Sequence, residues 1–181
     1  MAATTRSVES FALNLGLLKV TLLLANNQPV PAAAGSFEVL SDERDQFGQR
    51  SRVIAGGRSG QLYRLNSGLY QIVSQYGDAN ARVEAELTVE PGKLTEATAI
   101  LQAARVTFRL VTRLGGEAMA DTQWTIVDRQ GDLIKESAGA LPSHLLAPGT
   151  YTVSARSQGR SWRRTFAVRA GQNMQIEVLM Q

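Results

Sequence analysis

The sequence predicts an all-β protein made of two tandem Greek-key β-sandwiches. Three observations carry this prediction. A turn-and-strand phrase occurs twice, as "NSGLYQIVSQYG" at 66–77 and "APGTYTVSARSQG" at 147–159. The sequence around the two phrases also repeats. Within the repeats, apolar and polar residues alternate in short runs separated by glycine-rich turns, which is typical of sandwich strands with one buried face.

The repeated phrase has a physical explanation. In its second copy, Pro148 supplies the φ of about −65° that a turn needs, and Gly149 is expected to supply the positive φ of a type II turn. A tyrosine follows two residues after each glycine, and this placement predicts a tyrosine corner, with the ring in the core and the hydroxyl bonded to upstream backbone. The residues of this structural signature are Gly68, Tyr70, Pro148, Gly149 and Tyr151.

The repeat extends upstream of the phrase. The sequence "LKVTLLLANNQPVPAAAGSFEVL" aligns with "ARVTFRLVTRLGGEAMADTQWTIV", which places Val20 on Val106 and Phe37 on Trp124. We expect Phe37 and Trp124 to be buried at equivalent positions. Polar hairpins, a short strand, the tyrosine strand and two further strands follow in each copy, so each unit has about seven strands.

These repeats divide the chain into two sandwiches, at 17–102 and 103–181. The passage between them, "LQAARV" at 101–106, leaves almost no linker, so we expect a stiff junction. Residues 1–16 resemble the end of a repeat, because "SVESFALNLGLLKV" aligns with "LTEATAILQAARV". We interpret them as the last strand of, or a linker from, a preceding repeat.

The apolar run at 11–25 is predicted to be a strand. Lys19 interrupts it, Glu9 precedes it where a signal peptide carries basic residues, and no small-residue cleavage site follows promptly. The run is also too short to span a bilayer, so we expect no transmembrane segment.

Residues suited to catalysis or metal binding are few. The chain has no cysteine, which excludes disulfides and thiolate sites. Its one histidine, His144, follows Ser143, but neighbouring strand residues point to opposite faces, so we interpret His144 as structural. Asp42, Glu43 and Asp45 could ligate calcium, yet their spacing fits no known loop and favours a solvated hairpin. We expect no cofactor, no metal and no enzymatic activity.

One charged surface could mediate an interaction. Strand alternation turns Arg163 and Arg169 outward in the second repeat, while Glu84 and Glu86 occupy the equivalent strand of the first. Such a reversal could pair successive domains or neighbouring molecules, bind an anionic polymer, or be no more than a solvated face. The aromatic residues that stack nucleic-acid bases are missing around these arginines, so we expect no nucleic-acid binding.

The segment "LAPGTYTVSARSQGRSWRRTFAVRAGQNMQIEVLM" resembles bacterial carboxypeptidase regulatory-like and PEGA-type repeats. The shared pattern is L-x-P-G-x-Y-x-V followed by V-x-x-G, and the first repeat of this chain lacks the proline. The resemblance implies immunoglobulin-like or transthyretin-like sandwiches. It also implies an extracytoplasmic location, in the periplasm or at the cell surface of a Gram-negative bacterium.

Two functions follow from this interpretation. The first is a structural module of a longer envelope protein that spaces or docks other parts, with a protein or neighbouring repeats as partners. The alternative is an accessory module that binds a cell-envelope glycan or another anionic polymer. Glycan sites usually need exposed aromatic rings, and Trp162, Tyr76 and Tyr63 are the candidates.

Overall fold

The structure, a computed structural model, describes residues 14–181. Every regular element in this range is a strand, and no helix there is long and apolar enough to cross a membrane. The strands of sandwich 1 are β1 Leu15–Leu24, β2 Gly35–Arg44, β3 Arg50–Gly57, β4 Leu62–Asn66, β5 Gly68–Tyr76, β6 Arg82–Val89 and β7 Leu94–Leu101. Those of sandwich 2 are β8 Ala104–Val111, β9 Gln123–Val127, β10 Leu133–Ala138, β11 Ser143–Leu146, β12 Gly149–Ser157, β13 Arg160–Val168 and β14 Met174–Leu179.

The two sandwiches share one topology. In sandwich 1, a three-stranded sheet of order β4-β1-β7 faces a four-stranded sheet of order β3-β2-β5-β6. In sandwich 2, the corresponding sheets have the orders β11-β8-β14 and β10-β9-β12-β13. The first and last strands of each sandwich pair in parallel, and the other pairs are antiparallel. The prediction of an all-β chain with two tandem sandwiches is therefore confirmed.

Strand alternation builds both cores. Along β1, Leu18, Val20 and Leu22 are fully buried, while the residues between them face outward. Along β12, Val153 and Ala155 are buried in the same alternating way. Burial of one face of each sheet is the main stabilising contribution to a fold with no disulfide.

Aromatic side chains fill the centre of each core. Phe37 lies edge-on to Tyr63, with ring centroids 5.6 Å apart. Trp124 packs against Phe108 at 5.7 Å and donates its indole N–H to the Gly139 carbonyl at 2.8 Å. Phe37 and Trp124 are each 1 % exposed.

The strand register corrects the sequence alignment of the first strands. Leu18 pairs with Tyr63 in sandwich 1, and Val106 pairs with His144 in sandwich 2. Leu18 is therefore the equivalent of Val106, and the alignment of Val20 with Val106 was displaced by two residues. Both choices keep the buried parity, because the side-chain period of a strand is two.

Candidate functional site at the joint between the sandwiches

The chain passes from β7 to β8 through only Gln102 and Ala103. Ala103 is 8 % exposed, and its carbonyl accepts a hydrogen bond from the Gly171 N–H at 2.8 Å. We call the end of sandwich 2 formed by Ala103, Ala104, Leu145 and Gly171 its entrance end. It contacts the end at which β1 and β7 of sandwich 1 finish, which we call the exit end of sandwich 1.

The hairpin between β5 and β6 makes the central contact of the joint. Its loop, 77–81, begins at Gly77, which has a φ of +76° and donates its N–H to the Ala34 carbonyl. A Cβ on Gly77 would lie 2.9 Å from Cδ1 of Leu145, so the glycine lets the loop approach sandwich 2. Leu145 is in turn part of the core of sandwich 1, while Ala79 packs against the core of sandwich 2. The two sandwiches therefore exchange apolar side chains.

Asn80 connects the loop to the tyrosine corner of sandwich 2. Its Nδ2 donates to the Tyr151 hydroxyl at 2.9 Å, and its Oδ1 accepts from the Ala147 N–H at 3.0 Å. Both bonds are partly buried. One amide side chain thus uses its donor and its acceptor across the joint, which fixes its orientation.

Asp78 adds a charged contact. Its carboxylate lies 2.8 Å from Lys135 Nζ and 3.5 Å from His144 Nδ1. The hydrogen bond from Lys135 keeps the pKa of the Asp78 carboxyl below its usual range, against the opposing effect of partial burial. At neutral pH the loop therefore presents a negative charge to Lys135 on β10 and to the imidazole ring of His144 on β11.

Asp78, His144 and Ser137 follow one another in the order of a hydrolase triad, since His144 Nε2 lies 2.9 Å from Ser137 Oγ. Ser137 is opposite Trp124 in the sheet register, so its side chain belongs to the inner face of the sandwich. His144 is 6 % exposed. Ser143, next to it, is exposed and bonds to Thr107. The geometry links the loop, β11 and β10 rather than presenting a nucleophile to solvent.

The signature tyrosines lie at equivalent corners. Tyr70 donates its hydroxyl to the Asn66 carbonyl, and Tyr151 donates to the Ala147 carbonyl, both at 2.8 Å. Burial, with a smaller contribution from the charge of Glu43, raises the pKa of Tyr70. The two corners differ at the joint, because Tyr151, unlike Tyr70, also accepts a hydrogen bond from the other sandwich.

The glycines of the signature act differently from the sequence prediction. Gly149, which follows Pro148, does not have the positive φ expected of a type II turn. A Cβ on Gly149 would instead lie 3.3 Å from the Tyr151 hydroxyl oxygen, so the glycine provides space for that ring. Gly68 has a φ of 157°, and a Cβ on it would lie 3.9 Å from the ring of Tyr70.

The acidic face of sandwich 1 is neutralised by its own arginines. Glu86 on β6 lies 2.9 Å from Arg50 of β3. Glu84 lies 2.5 Å from Arg82 and accepts a hydrogen bond from Gln71. Ion pairs at this exposure contribute little stability, but they leave the face with little excess charge.

The basic face of sandwich 2 lacks such pairing. Arg163 on β13 and Arg169 just beyond it are exposed, and Arg156 of β12 is exposed on the same side of the sheet. Within residues 14–181, none of these three arginines lies within 4.0 Å of a carboxylate. The structure does not bring them near Glu84 or Glu86, which occupy another sandwich.

Sequence analysis missed the joint residues themselves. A stiff junction was expected from the short linker, but Asp78, Asn80 and Lys135 were not singled out. The available signal was a difference in hairpin length, since "YGDANA" in the first repeat corresponds to "SQGR" in the second.

Comparison with known proteins gives a family match and a set of similar structures. The family model of the Rhizobiales growth-associated tandem repeat domain matches residues 105–180, which is most of sandwich 2. No curated protein matches the chain.

The similar structures are of bacterial proteins and include pilins. The Bacillus anthracis TIE protein is 17 % identical over 92 % of this chain and 34 % of its own, with a TM-score of 0.39. A streptococcal ancillary pilin is 11 % identical over 96 % of this chain and 64 % of its own, with a TM-score of 0.42. The shaft pilin SpaA from Lactobacillus rhamnosus GG is 10 % identical over 91 % of this chain and 96 % of its own, with a TM-score of 0.38. The chain thus spans less than two thirds of the first two proteins.

Proposed function

We propose that this chain is a non-enzymatic spacer and docking scaffold of the bacterial envelope, in which two β-sandwich repeats are held end to end as one stiff rod. The observation that carries the proposal is the joint. Asn80 bonds to Tyr151 and Ala147, Asp78 lies between Lys135 and His144, and Leu145 completes the core of the neighbouring sandwich. Domains joined by a flexible linker do not share a core in this way.

Two further observations support a role in repeat arrays and an extracytoplasmic location. Sandwich 2 matches a family described as a tandem repeat domain, which fits a role in serial arrays. The tyrosine signature supports assignment to the carboxypeptidase regulatory-like and PEGA-type repeats, and with it an extracytoplasmic location.

The relative order of the two sandwiches in solution tests the proposal. Residual dipolar couplings of the whole chain should fit a single alignment tensor, because the joint fixes one sandwich against the other. The double variant Asp78→Asn, Asn80→Ala should give two different tensors while each sandwich stays folded. Gln158→Ala, in the equivalent hairpin of sandwich 2, is the matched control and should behave as the wild type. Independent tensors in the wild type would contradict the proposal.

A second candidate function is the binding of an anionic envelope polymer by the basic face of sandwich 2. It is favoured by the free guanidinium groups of Arg156, Arg163 and Arg169, since the equivalent face of sandwich 1 is internally paired. Polygalacturonate is a suitable probe. We expect salt-dependent binding that is abolished by Arg163→Glu with Arg169→Glu and retained in Arg52→Glu, a control on sandwich 1. Binding that is equal in all three proteins would exclude this function.

A further inference from the structure

The end of sandwich 1 at which β1 begins, which we call its entrance end, has an open apolar groove of about 460 Å³. The groove is lined by Leu15, Gly16, Leu17, Arg64, Gly92 and Lys93. Leu15 is 38 % exposed, and the neighbouring Leu94 is 48 % exposed. Exposed leucines clustered at one end of a domain are typical of an interaction surface.

The same end of sandwich 2 is the surface covered by sandwich 1. The Gly92 N–H donates to the Leu15 carbonyl at 2.8 Å, as the Gly171 N–H donates to the Ala103 carbonyl at 2.8 Å. Leu15 is therefore the structural equivalent of Ala103, which is only 8 % exposed. The repeated fold thus shows what kind of surface fits this groove, namely the exit end of another sandwich.

The apolar and charged groups of the groove suit such a partner. In the observed joint, the large apolar residue of the entrance end is Leu145, on the strand that pairs with β8. In sandwich 1 the equivalent of Leu145 is Arg64, and the large apolar residue is Leu15 instead. Arg64 can pair with an acidic loop residue as Lys135 pairs with Asp78.

The sequence before the groove occupies the position of the strand that enters the observed joint. With the register given by Leu15 and Ala103, residues 7–13, "SVESFAL", align with residues 95–101 of β7, "TEATAIL". Leu13 then falls on Leu101, two residues before the position shared by Leu15 and Ala103. Residues 7–13 lie outside the described range, so this step rests on their sequence alone.

We infer that the entrance end of sandwich 1 docks the exit end of a further β-sandwich of the same class, carried directly before it in the same polypeptide. The docking element is a five-residue hairpin loop like 77–81, with a glycine, an acidic residue and an asparagine at the positions of Gly77, Asp78 and Asn80. This inference rests on the proposed spacer function, since it extends the same joint to a preceding repeat.

An extended chain tests the inference. In it, a copy of residues 15–102 replaces residues 1–14, so that the copied Gln102 precedes Leu15. The added sandwich should share one alignment tensor with sandwich 1, and amide exchange of Leu17 and Gly92 should slow by about tenfold or more. In a matched control, residues 77–80 of the added copy are replaced by Gln-Gly, which reproduces the turn of sandwich 2 and keeps the register of β6. This control should lose both effects, as should Leu15→Asp in the receiving groove.

Three results would overturn the inference. In the first, the added sandwich tumbles independently while the native joint in the same sample stays rigid, which leaves the spacer proposal intact. In the second, deletion of residues 1–13 from the original chain speeds exchange at Leu17 and Gly92, because the chain's own terminus covers the groove. In the third, sedimentation shows that the original chain dimerises and that Leu15→Asp abolishes the dimer, which makes a second copy the partner.

Discussion

In sandwich 1, the innermost pair of the hairpin between β5 and β6, Tyr76 with Ala81, encloses four residues, 77–80, whereas the equivalent pair of sandwich 2, Ser157 with Arg160, encloses Gln158 and Gly159 alone. Gln158 and Gly159 have φ values of +49° and +77°, as in a tight two-residue hairpin turn. The longer loop supplies Asp78 and Asn80 to the joint, and the shorter one has no equivalent of either. Two additional residues in a surface hairpin, which cost little in loop-closure entropy, therefore distinguish a sandwich that holds a neighbour from one that does not.

The largest expected effect concerns the two cores. Trp124→Ala and Phe37→Ala should each cost roughly 3–5 kcal/mol of unfolding free energy, since each side chain is fully buried. Calorimetry combined with NMR should show that each variant lowers the transition of its own sandwich most. If either variant unfolded both sandwiches in one transition, the two sandwiches would be a single cooperative unit. Their cores would then have no separate stabilities to compare.

The next effect separates backbone strain from the joint contact. Gly77 and Gly159 have nearly the same φ, +76° and +77°, but only Gly77 faces Leu145, and nothing lies within 4 Å of a Cβ on Gly159. Alanine at either position should cost about 1 kcal/mol for the left-handed backbone. Gly77→Ala should cost about 1–3 kcal/mol more from overpacking. If Gly77→Ala and Gly159→Ala lost the same unfolding free energy in urea, the loop would not press on sandwich 2.

A smaller effect compares the tyrosine corners. Tyr70→Phe and Tyr151→Phe each remove one hydroxyl bond to backbone, worth about 1 kcal/mol. Tyr151→Phe also leaves Asn80 Nδ2 without its acceptor. We therefore expect Tyr151→Phe, and not Tyr70→Phe, to increase the amide exchange rate of the Ala147 N–H. The same change in both variants would mean that the bond across the joint is absent in solution.

The smallest effect depends on pH. Because the folded state lowers the pKa of Asp78, its charged form contributes stability above the unfolded pKa of about 4, and this is lost as pH falls through the folded value. Asp78 is 60 % exposed, so the contribution should be well under 1 kcal/mol. The drop in melting temperature from pH 7 to pH 3 should be slightly smaller for Asp78→Asn. A larger drop in melting temperature for Asp78→Asn would mean that the charged form of Asp78 destabilises the fold.

Sequence analysis predicted the architecture because it depends on local patterns. Alternation along β12 marks the inner residues Val153 and Ala155, and the repeated turn marks the strand's beginning. The two-residue displacement at Val20 shows where this method fails. A repeat of period two does not distinguish shifts of two residues, and only the pairing with β4 and β7 fixes the register.

The joint could not be predicted from local patterns. Asn80 and Tyr151 are 71 residues apart, and their contact depends on how one sandwich is placed on the other. The pairing of Glu86 with Arg50 depends likewise on strands that are distant in sequence. Gly149 was misinterpreted for a related reason, because its role is set by the Tyr151 ring above it rather than by its own φ.

The parallel pairing of first and last strands determines how each sandwich responds to tension. β1 and β7 lie side by side along eight register pairs, and β8 and β14 along six. A force that pulls the start of β1 away from the end of β7 loads these ladder bonds together, in shear, and cannot open them one at a time. Rupture under load is governed by the unfolding rate, so each sandwich should yield abruptly and at high force. Its three-stranded sheet is therefore expected to act as a mechanical clamp.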